Sequence, residues 1–222
     1  MPTLSEENYL KAIWKLHESG AENVSTNSIA AEVKTRAASV TDMLKKLSDK
    51  KLIQYQKYQG VKLTEEGRKL ALMIVRKHRL WEVFLVEKLN YGWDEVHEIA
   101  EQLEHIISEN LTDRLDKFLG YPKFDPHGDP IPDSAGKLAD AASISLSLCK
   151  AGQTGTMTGV SEHSAVFLRF LDENNLGLGS VVQIEHINEF DHSQRIKVNG
   201  KKPFMISQTA SKNVLIKLSK KK

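Results

Sequence analysis

Two stretches of this 222-residue chain carry imidazole and carboxylate groups at helical spacing. In Arg76-Lys77-His78-Arg79-Leu80-Trp81-Glu82, His78 and Glu82 stand one turn apart. In His97-Glu98-Ile99-Ala100-Glu101-Gln102-Leu103-Glu104-His105, the groups His97, Glu101, Glu104 and His105 fall within an arc of about 100° on a helix. Two such stripes turned toward each other form a mixed nitrogen and oxygen ligand set suited to a divalent transition metal. The competing explanation is a salt-bridged surface, because Glu–Lys and Glu–Arg pairs at i,i+4 are common on helices. Here the acids alternate with histidine instead: His97 faces Glu101, and Glu101 faces His105. Without a cation this face carries unbalanced negative charge, which favours ligands over surface pairs. Isolated histidines are more often structural, so His17, His186 and His192 are given no metal role. His127, in a Pro/Gly loop, reads as structural too.

Composition bounds the setting for this site. Hydrophobic content of 40% and charged content of 27% are those of an ordinary soluble protein. No apolar run approaches the roughly 18–20 residues of a membrane span. The start, Met1-Pro2-Thr3-Leu4-Ser5-Glu6-Glu7, lacks the basic and apolar regions of a signal peptide. The single Cys149 excludes an intramolecular disulfide, fits a reducing compartment and reads as a small core residue. A cytoplasmic location without a membrane partner is therefore expected. Net charge is +2 but unevenly spread. Residues 34–63 hold eight basic side chains against two acids, whereas residues 76–120 hold six basic and ten acidic ones. A basic block followed by an acidic one suits a polyanion on one side and a cation on the other.

The elements that must position these groups are readable in outline. From Leu4 to about Ser19, Tyr9, Ile13, Trp14 and Leu16 make an apolar helical stripe, which Gly20 ends. Ser25 or Thr26 can cap a short helix carrying Ile29, Ala30 and Val33. After Lys34-Thr35-Arg36 a third helix presents Val40, Met43, Leu44 and Leu47. Two short β-like runs follow from Leu52 to Leu63, around a turn closed by Gly60. Thr64-Glu65-Glu66-Gly67 then opens a long helix to about Leu89. Three helices and a hairpin make a winged helix-turn-helix, whose third helix enters the major groove and whose wing meets phosphates or the minor groove. Arg36, Ala38, Ser39, Thr41, Asp42, Lys45, Lys46 and Lys57 are the expected DNA-facing residues. Small hydroxyl side chains at the helix start approach base edges, and the lysines neutralise phosphates.

Residues 93–119 continue as helices. Leu103, Ile106, Ile107, Leu111, Leu115, Phe118 and Leu119 exceed what a two-helix hairpin buries alone, which points to a dimer interface. The stretch Tyr121-Pro122-Lys123-Phe124-Asp125-Pro126-His127-Gly128-Asp129-Pro130-Ile131-Pro132 contains four prolines and reads as an ordered loop. Beyond Lys150 short alternating strands with glycine turns predict a small SH3-like barrel, with one helix at 165–171. Trp14, Trp81, Phe84 and Trp93 read as core, and the tail from Lys217 as a solvated end.

Taken in order, these residues resemble the diphtheria-toxin-repressor family of metal-dependent regulators, which includes the iron-dependent and manganese-transport regulators. The resemblance covers nearly the whole chain. It rests on Arg-Lys-His-Arg-Leu with Glu82, on Val96-His97 followed by Glu104-His105, and on Pro126-His127-Gly128-Asp129-Pro130-Ile131-Pro132. It implies a mainly α fold with a small β part. The domains are a winged helix-turn-helix at 1–72, a helical metal-binding and dimerisation domain at 73–140, a linker at 141–151 and an SH3-like domain at 152–222. It also implies a homodimer that binds palindromic double-stranded operator DNA with Mn²⁺ or Fe²⁺ as corepressor, at genes of metal uptake. By the same resemblance His78, Glu82 and His97 belong to one ligand cluster, and Glu101, Glu104 and His105 to the adjacent one. Glu101 is found where iron-type members tend to have Cys and manganese-type members Glu, which favours Mn²⁺.

Two departures from the family pattern stand out. The family usually takes a Met or Asp ligand from the first helix, in the stretch that reads here Glu7-Asn8-Tyr9-Leu10-Lys11. Asn8 offers a carbonyl oxygen without charge, and Lys11 replaces a Glu common in manganese-type members; an ammonium cannot coordinate. Either Asn8 ligates, or Glu6, Glu7 or a water substitutes, or one site is altered. In the SH3-like domain the stretch that donates ligands in iron-type members reads Ser161-Glu162-His163-Ser164, so Glu162 or His163 takes that role. No enzymatic activity is expected. The alternatives are a metal-independent DNA-binding regulator with a vestigial site, and a di-metal enzyme, against which no added nucleophile or acid–base group speaks for turnover.

Overall fold

A computed structural model describes residues 2–18, 20–21, 23–56, 60–140 and 142–219. The chain forms two compact units. The first comprises Met1–His78, Glu101–Asp113 and Pro132–Leu138; the second comprises Arg79–Ala100, Arg114–Ile131 and Ala139–Lys222.

The first unit begins with helices α1 (Leu4–Glu18), α2 (Thr26–Glu32) and α3 (Ala37–Asp49). Helices α1 and α2 start where a side chain satisfies free amides of the helix N-terminus, whereas Arg36 before α3 makes no side-chain cap bond. Before α1, Thr3 N–H donates to Glu6 Oε2 (2.8 Å) and Glu6 N–H to Thr3 Oγ1 (3.3 Å), a reciprocal capping box. Ser25 caps α2 through Ser28 N–H. In α3 the buried positions Val40, Leu44 and Leu47 recur at i, i+4 and i+7. They pack with Leu10, Ile13, Trp14, Ile29, Ile53 and Val61 into one core. Strands β1 (Ile53–Gln56) and β2 (Gly60–Leu63) pair antiparallel from Ile53↔Leu63 to Gln56↔Gly60, and Val24 bridges to Val61. This is the winged helix expected from the sequence. Helix α4 (Glu65–Leu89) follows, and Thr64 Oγ1 accepts from Gly67 N–H at its start. Gly67 is required there, since a Cβ would lie 1.9 Å from the Leu52 carbonyl oxygen.

Helices α5 (Val96–Leu103) and α6 (Glu109–Phe118) come next. Helix α5 stops at Leu103, so Glu104 and His105 sit in the following turn rather than on a regular helical face. In the second unit Leu80, Val83, Leu115 and Ile131 form a small core. The proline-rich segment is an ordered loop, with Phe124 bridged to Pro130 and Ile131 N–H bonded to Lys123 O (2.9 Å).

The remainder of the second unit is a six-stranded antiparallel sheet ordered β3-β8-β4-β5-β6-β7. Its strands are β3 (Ile144–Ser145), β4 (Thr154–Val160), β5 (Val181–Ile187), β6 (Gln194–Val198), β7 (Phe204–Ile206) and β8 (Val214–Leu218). Register shifts at Met157/Gly159 and Ile184/His186 bend it, as bulges do in small barrels. Cys149 is buried in its core with Met157, Leu168, Val182 and Ile196. This is the SH3-like fold expected. Besides α7 (Ala165–Glu173) it holds a second helix, α8 (Gln208–Lys212), which the sequence reading lacked. Five residues capped by Ser207 are too short for helical periodicity to show. Among the described residues no helix is long and apolar enough to cross a membrane.

Candidate metal centre

In the first unit, groups from α1, α4, α5 and the turn after α5 converge. Donor atoms of His78, Glu101 and Glu104 all lie within 4.8 Å of one another. Glu104 is fully buried, and His78 Nδ1 stands 2.6 Å from its Oε2. His105 lies at the edge: its Nε2 is 3.7 Å from Glu104 Oε1, and its Nδ1 pairs with Glu7 Oε2 at 2.7 Å. The ammonium of Lys11 reaches into this group, donating to Glu101 and to both oxygens of Glu104 at 2.7 and 2.8 Å. Asn8, one turn before Lys11 on α1, has a buried Oδ1 that lacks a hydrogen-bond partner among the described residues. The donor set therefore fits a cation, and a cationic side chain stands within it.

The second unit holds another set. Glu82, Asp125 and His127 are all buried, with donor atoms within 4.8 Å of one another. Glu82 is flanked by two imidazoles, His97 Nδ1 at 3.3 Å and His127 Nδ1 at 3.6 Å. His127 Nε2–H donates to the Trp93 carbonyl oxygen (2.8 Å). A backbone acceptor on the far nitrogen is the usual way a metal-bound imidazole is oriented, and it leaves Nδ1 directed at Glu82. Burial would lower the His127 pKa, but the neighbouring carboxylates of Glu82 and Asp125 and the Trp93 carbonyl outweigh it and hold the imidazolium up to about 9. Burial, then the charges of Glu82 and Asp129, push the Asp125 carboxyl up to about 7 against the pull of Arg79 and His127.

The loop bearing Asp125 and His127 is fastened on two sides. Asp125 Oδ1 accepts from the N–H groups of His127 (2.8 Å) and Asp129 (2.9 Å). Arg79, buried on α4, bonds Asp129 Oδ2 (3.1 Å) and the Pro130 carbonyl. On the other side Val160 N–H of β4 donates to His127 O (2.9 Å). Sequence reasoning took His127 as structural and passed over Asp125. The ring is indeed held structurally, yet it also faces Glu82. The signal available was an acid two residues before the histidine in a proline-framed motif.

The remaining expected residues are dispersed. His163 is half-buried, with its ring 4.8 Å from that of His127 and its Nε2 3.9 Å from Asp129 Oδ2. Glu162 is exposed, and its Oε1 accepts from Ser164 N–H before α7. On the winged helix, Arg36 is exposed at the N-cap of α3, and Ala38, Ser39, Asp42, Lys45 and Lys46 are exposed along it, away from its buried face. Thr41 is half-buried and donates to Ala37 O (3.1 Å), while Asp42 pairs with Lys45 at 3.6 Å. Lys57 lies outside the described residues.

Residues 1–61 match the family described as iron dependent repressor, N-terminal DNA binding domain. Residues 64–133 match iron dependent repressor, metal binding and dimerisation domain, and residues 144–218 match the FeoA domain. The iron-dependent repressor IdeR of Mycobacterium tuberculosis is 36% identical over 126 residues, 57% of this chain and 54% of that one. The chain thus matches about half the length of these mycobacterial relatives. The HTH-type transcriptional regulator MntR of Oceanobacillus iheyensis is 36% identical over 126 residues, covering 56% of this chain and 84% of that one. A solved manganese-dependent transcriptional repressor in complex with manganese superposes with a TM-score of 0.88 at 34% identity, over 95% of this chain and 98% of the other. A winged helix, buried His–carboxylate sets and a bent SH3-like sheet, in that order and at this identity, mean that the chain belongs to the iron-dependent repressor family.

Proposed function

We propose that this chain is a cytoplasmic, metal-dependent transcriptional repressor that binds palindromic double-stranded operator DNA as a homodimer and controls genes of metal uptake. Mn²⁺ or Fe²⁺ is its corepressor, as in the relatives' names. The observation that carries the reading lies within the first unit. Helix α1, whose inner face belongs to the winged-helix core, reaches with Glu7 to His105, which stands beside Glu104 of the donor set.

The ligands in this reading are His78, Glu82, His97, Glu101, Glu104 and His105. Asn8 serves as an uncharged oxygen donor, and Glu162 or His163 is the contribution of the SH3-like domain. Asp125 and His127 join Glu82. When bound, the metal supplies divalent charge and directional coordination among nitrogen and oxygen donors. The protein's own groups do the coupling. Residues of α1 that meet the turn after α5 in only one arrangement bias the chain toward that arrangement, and hence toward DNA-binding geometry. Ser39 and Thr41 approach base edges, while Arg36, Lys45, Lys46 and Lys57 neutralise phosphates; Ala38 and Asp42 complete the groove-facing surface. Ile106, Ile107 and Leu111 remain exposed, which supports burial against a second copy. The domain limits are 1–72, 73–140 and 152–222, with a linker at 141–151.

The test is fluorescence anisotropy of the chelated protein on DNA from its own upstream region, with Mn²⁺, Fe²⁺ and Zn²⁺ titrated separately. Operator affinity should rise steeply with Mn²⁺ or Fe²⁺ and be lost in Glu104→Ala, shown to be folded by circular dichroism. Tight specific binding in chelator, unchanged by any metal, refutes the reading.

A further inference from the structure

Lys11 is placed where an ordinary surface lysine would not be. Its side chain is only 16% exposed, and Glu104 beneath it is 0% exposed. A lysine stem at a helix surface normally carries its ammonium out to water. Here the ammonium turns inward and spends its three donors on Glu101 Oε1, Glu104 Oε1 and Glu104 Oε2. These carboxylates, with His78, are the donor set described above. One turn earlier on α1, the buried Asn8 Oδ1 has no hydrogen-bond partner among the described residues, so the ammonium does not satisfy every acceptor on this helix face.

We propose that Lys11 is a tethered competitor of the corepressor: its ammonium fills the His78–Glu101–Glu104 set and must leave before a divalent ion binds there. The inference rests on the reading of the chain as a metal-dependent repressor. The ammonium takes up lone pairs on Glu101 Oε1 and both oxygens of Glu104, and its positive charge repels a second cation at the same oxygens. The competition is reversible because the lysine stem is long and flexible, so leaving takes a change of rotamer and no unfolding. Lys11 thereby sets the metal concentration at which this set responds. Charge-assisted hydrogen bonds are among the stronger polar contacts, and losing them on entry of the metal weakens apparent affinity by about ten- to a hundred-fold.

The experiment uses the full chain stripped by chelator, with free Mn²⁺ followed by its electron paramagnetic resonance signal. Lys11→Gln should bind Mn²⁺ about ten- to a hundred-fold more tightly than wild type at one site per chain. Lys11→Arg, which keeps the charge, should not. A second readout needs no variant: acetylation of Lys11, read by mass spectrometry against exposed Lys15, should rise when Mn²⁺ is added to wild type. Superimposable or weakened binding in Lys11→Gln, or Lys11 labelling that is unchanged or falls with Mn²⁺, overturns the proposal. If wild type still binds Mn²⁺ in that case, only the competitor fails. If neither folded protein binds Mn²⁺ or, by equilibrium dialysis, Fe²⁺, the reading as a metal-dependent repressor fails as well.

Discussion

Replacing Gly128 by alanine tests how the loop of His127 is held. Gly128 has φ +89°, and an added Cβ would lie 2.1 Å from the Thr158 carbonyl oxygen and 2.4 Å from Gly159 Cα. The left-handed backbone costs a non-glycine residue about 1–2 kcal/mol. Carbon atoms rest at about 3.5–4.0 Å from one another, so loop and strand must part by about 1 Å. That separation breaks the 2.9 Å bond from Val160 N–H to His127 O, a further loss of about 1 kcal/mol. The sum is about 2–3 kcal/mol, or a fall in Tm of about 4–12 °C at this chain length. Gly120→Ala supplies the control, because Gly120 also has positive φ (+77°) but nothing lies within 4 Å of its added Cβ. Calorimetry of both variants separates the conformational cost from the contact cost, and hydrogen exchange over 121–132 locates it. Should Gly128→Ala lose no more than Gly120→Ala, to within about 0.5 kcal/mol, β4 does not hold the loop and the reasoning is refuted.

Two further outcomes follow from contacts in the first unit. Glu6 is buried and paired with Lys50 at 2.7 Å; burial raises its pKa, but the bonds from Lys50 and Thr3 outweigh this and hold it below its ordinary value. A depressed carboxyl stabilises the fold above its unfolded pKa and loses that stability as pH falls through the folded value. Chemical denaturation of Lys50→Met from pH 7 into the acid range should therefore show a flatter decline than wild type, and parallel curves would count against it. On α3, Lys45→Ala and Lys46→Ala should each reduce the slope of log K against log salt for operator binding by about 1, whatever the operator sequence. An unchanged slope removes that lysine from the phosphate contacts.

The winged helix was legible because its signals are strong and local. Tyr9, Ile13 and Trp14 repeat at helical spacing, as do Val40, Leu44 and Leu47, and all are buried. Gly60 opens β2 at φ +93°, so its place in the turn could be foreseen. Helix α8 and strands β3 and β7 were missed, since segments of two to five residues hold no period. The site was readable by residue type and less so by partner. Helical spacing grouped His97, Glu101, Glu104 and His105, but nothing between Leu103 and Ser108 announces where α5 stops. Lys11 was visible as a departure, whereas its bonds to Glu101 and Glu104 join residues 90 and 93 positions apart. Asp125 lay in a proline-framed loop, where no periodicity marks burial.

Helix α1 answers to two sets of demands along one short string of residues. Tyr9, Leu10, Ile13 and Trp14 belong to the core that shapes the DNA-reading surface, while Glu7, Asn8 and Lys11 lie toward the ligand-bearing turn. The two sets interleave without sharing a position. With Lys11 competing for the metal as proposed, inherited substitutions at 7, 8 and 11 move the metal threshold while the groove-facing residues of α3 stay the same. A lineage facing a different supply of metal has three positions on which to adapt, and its promoters need not change with them.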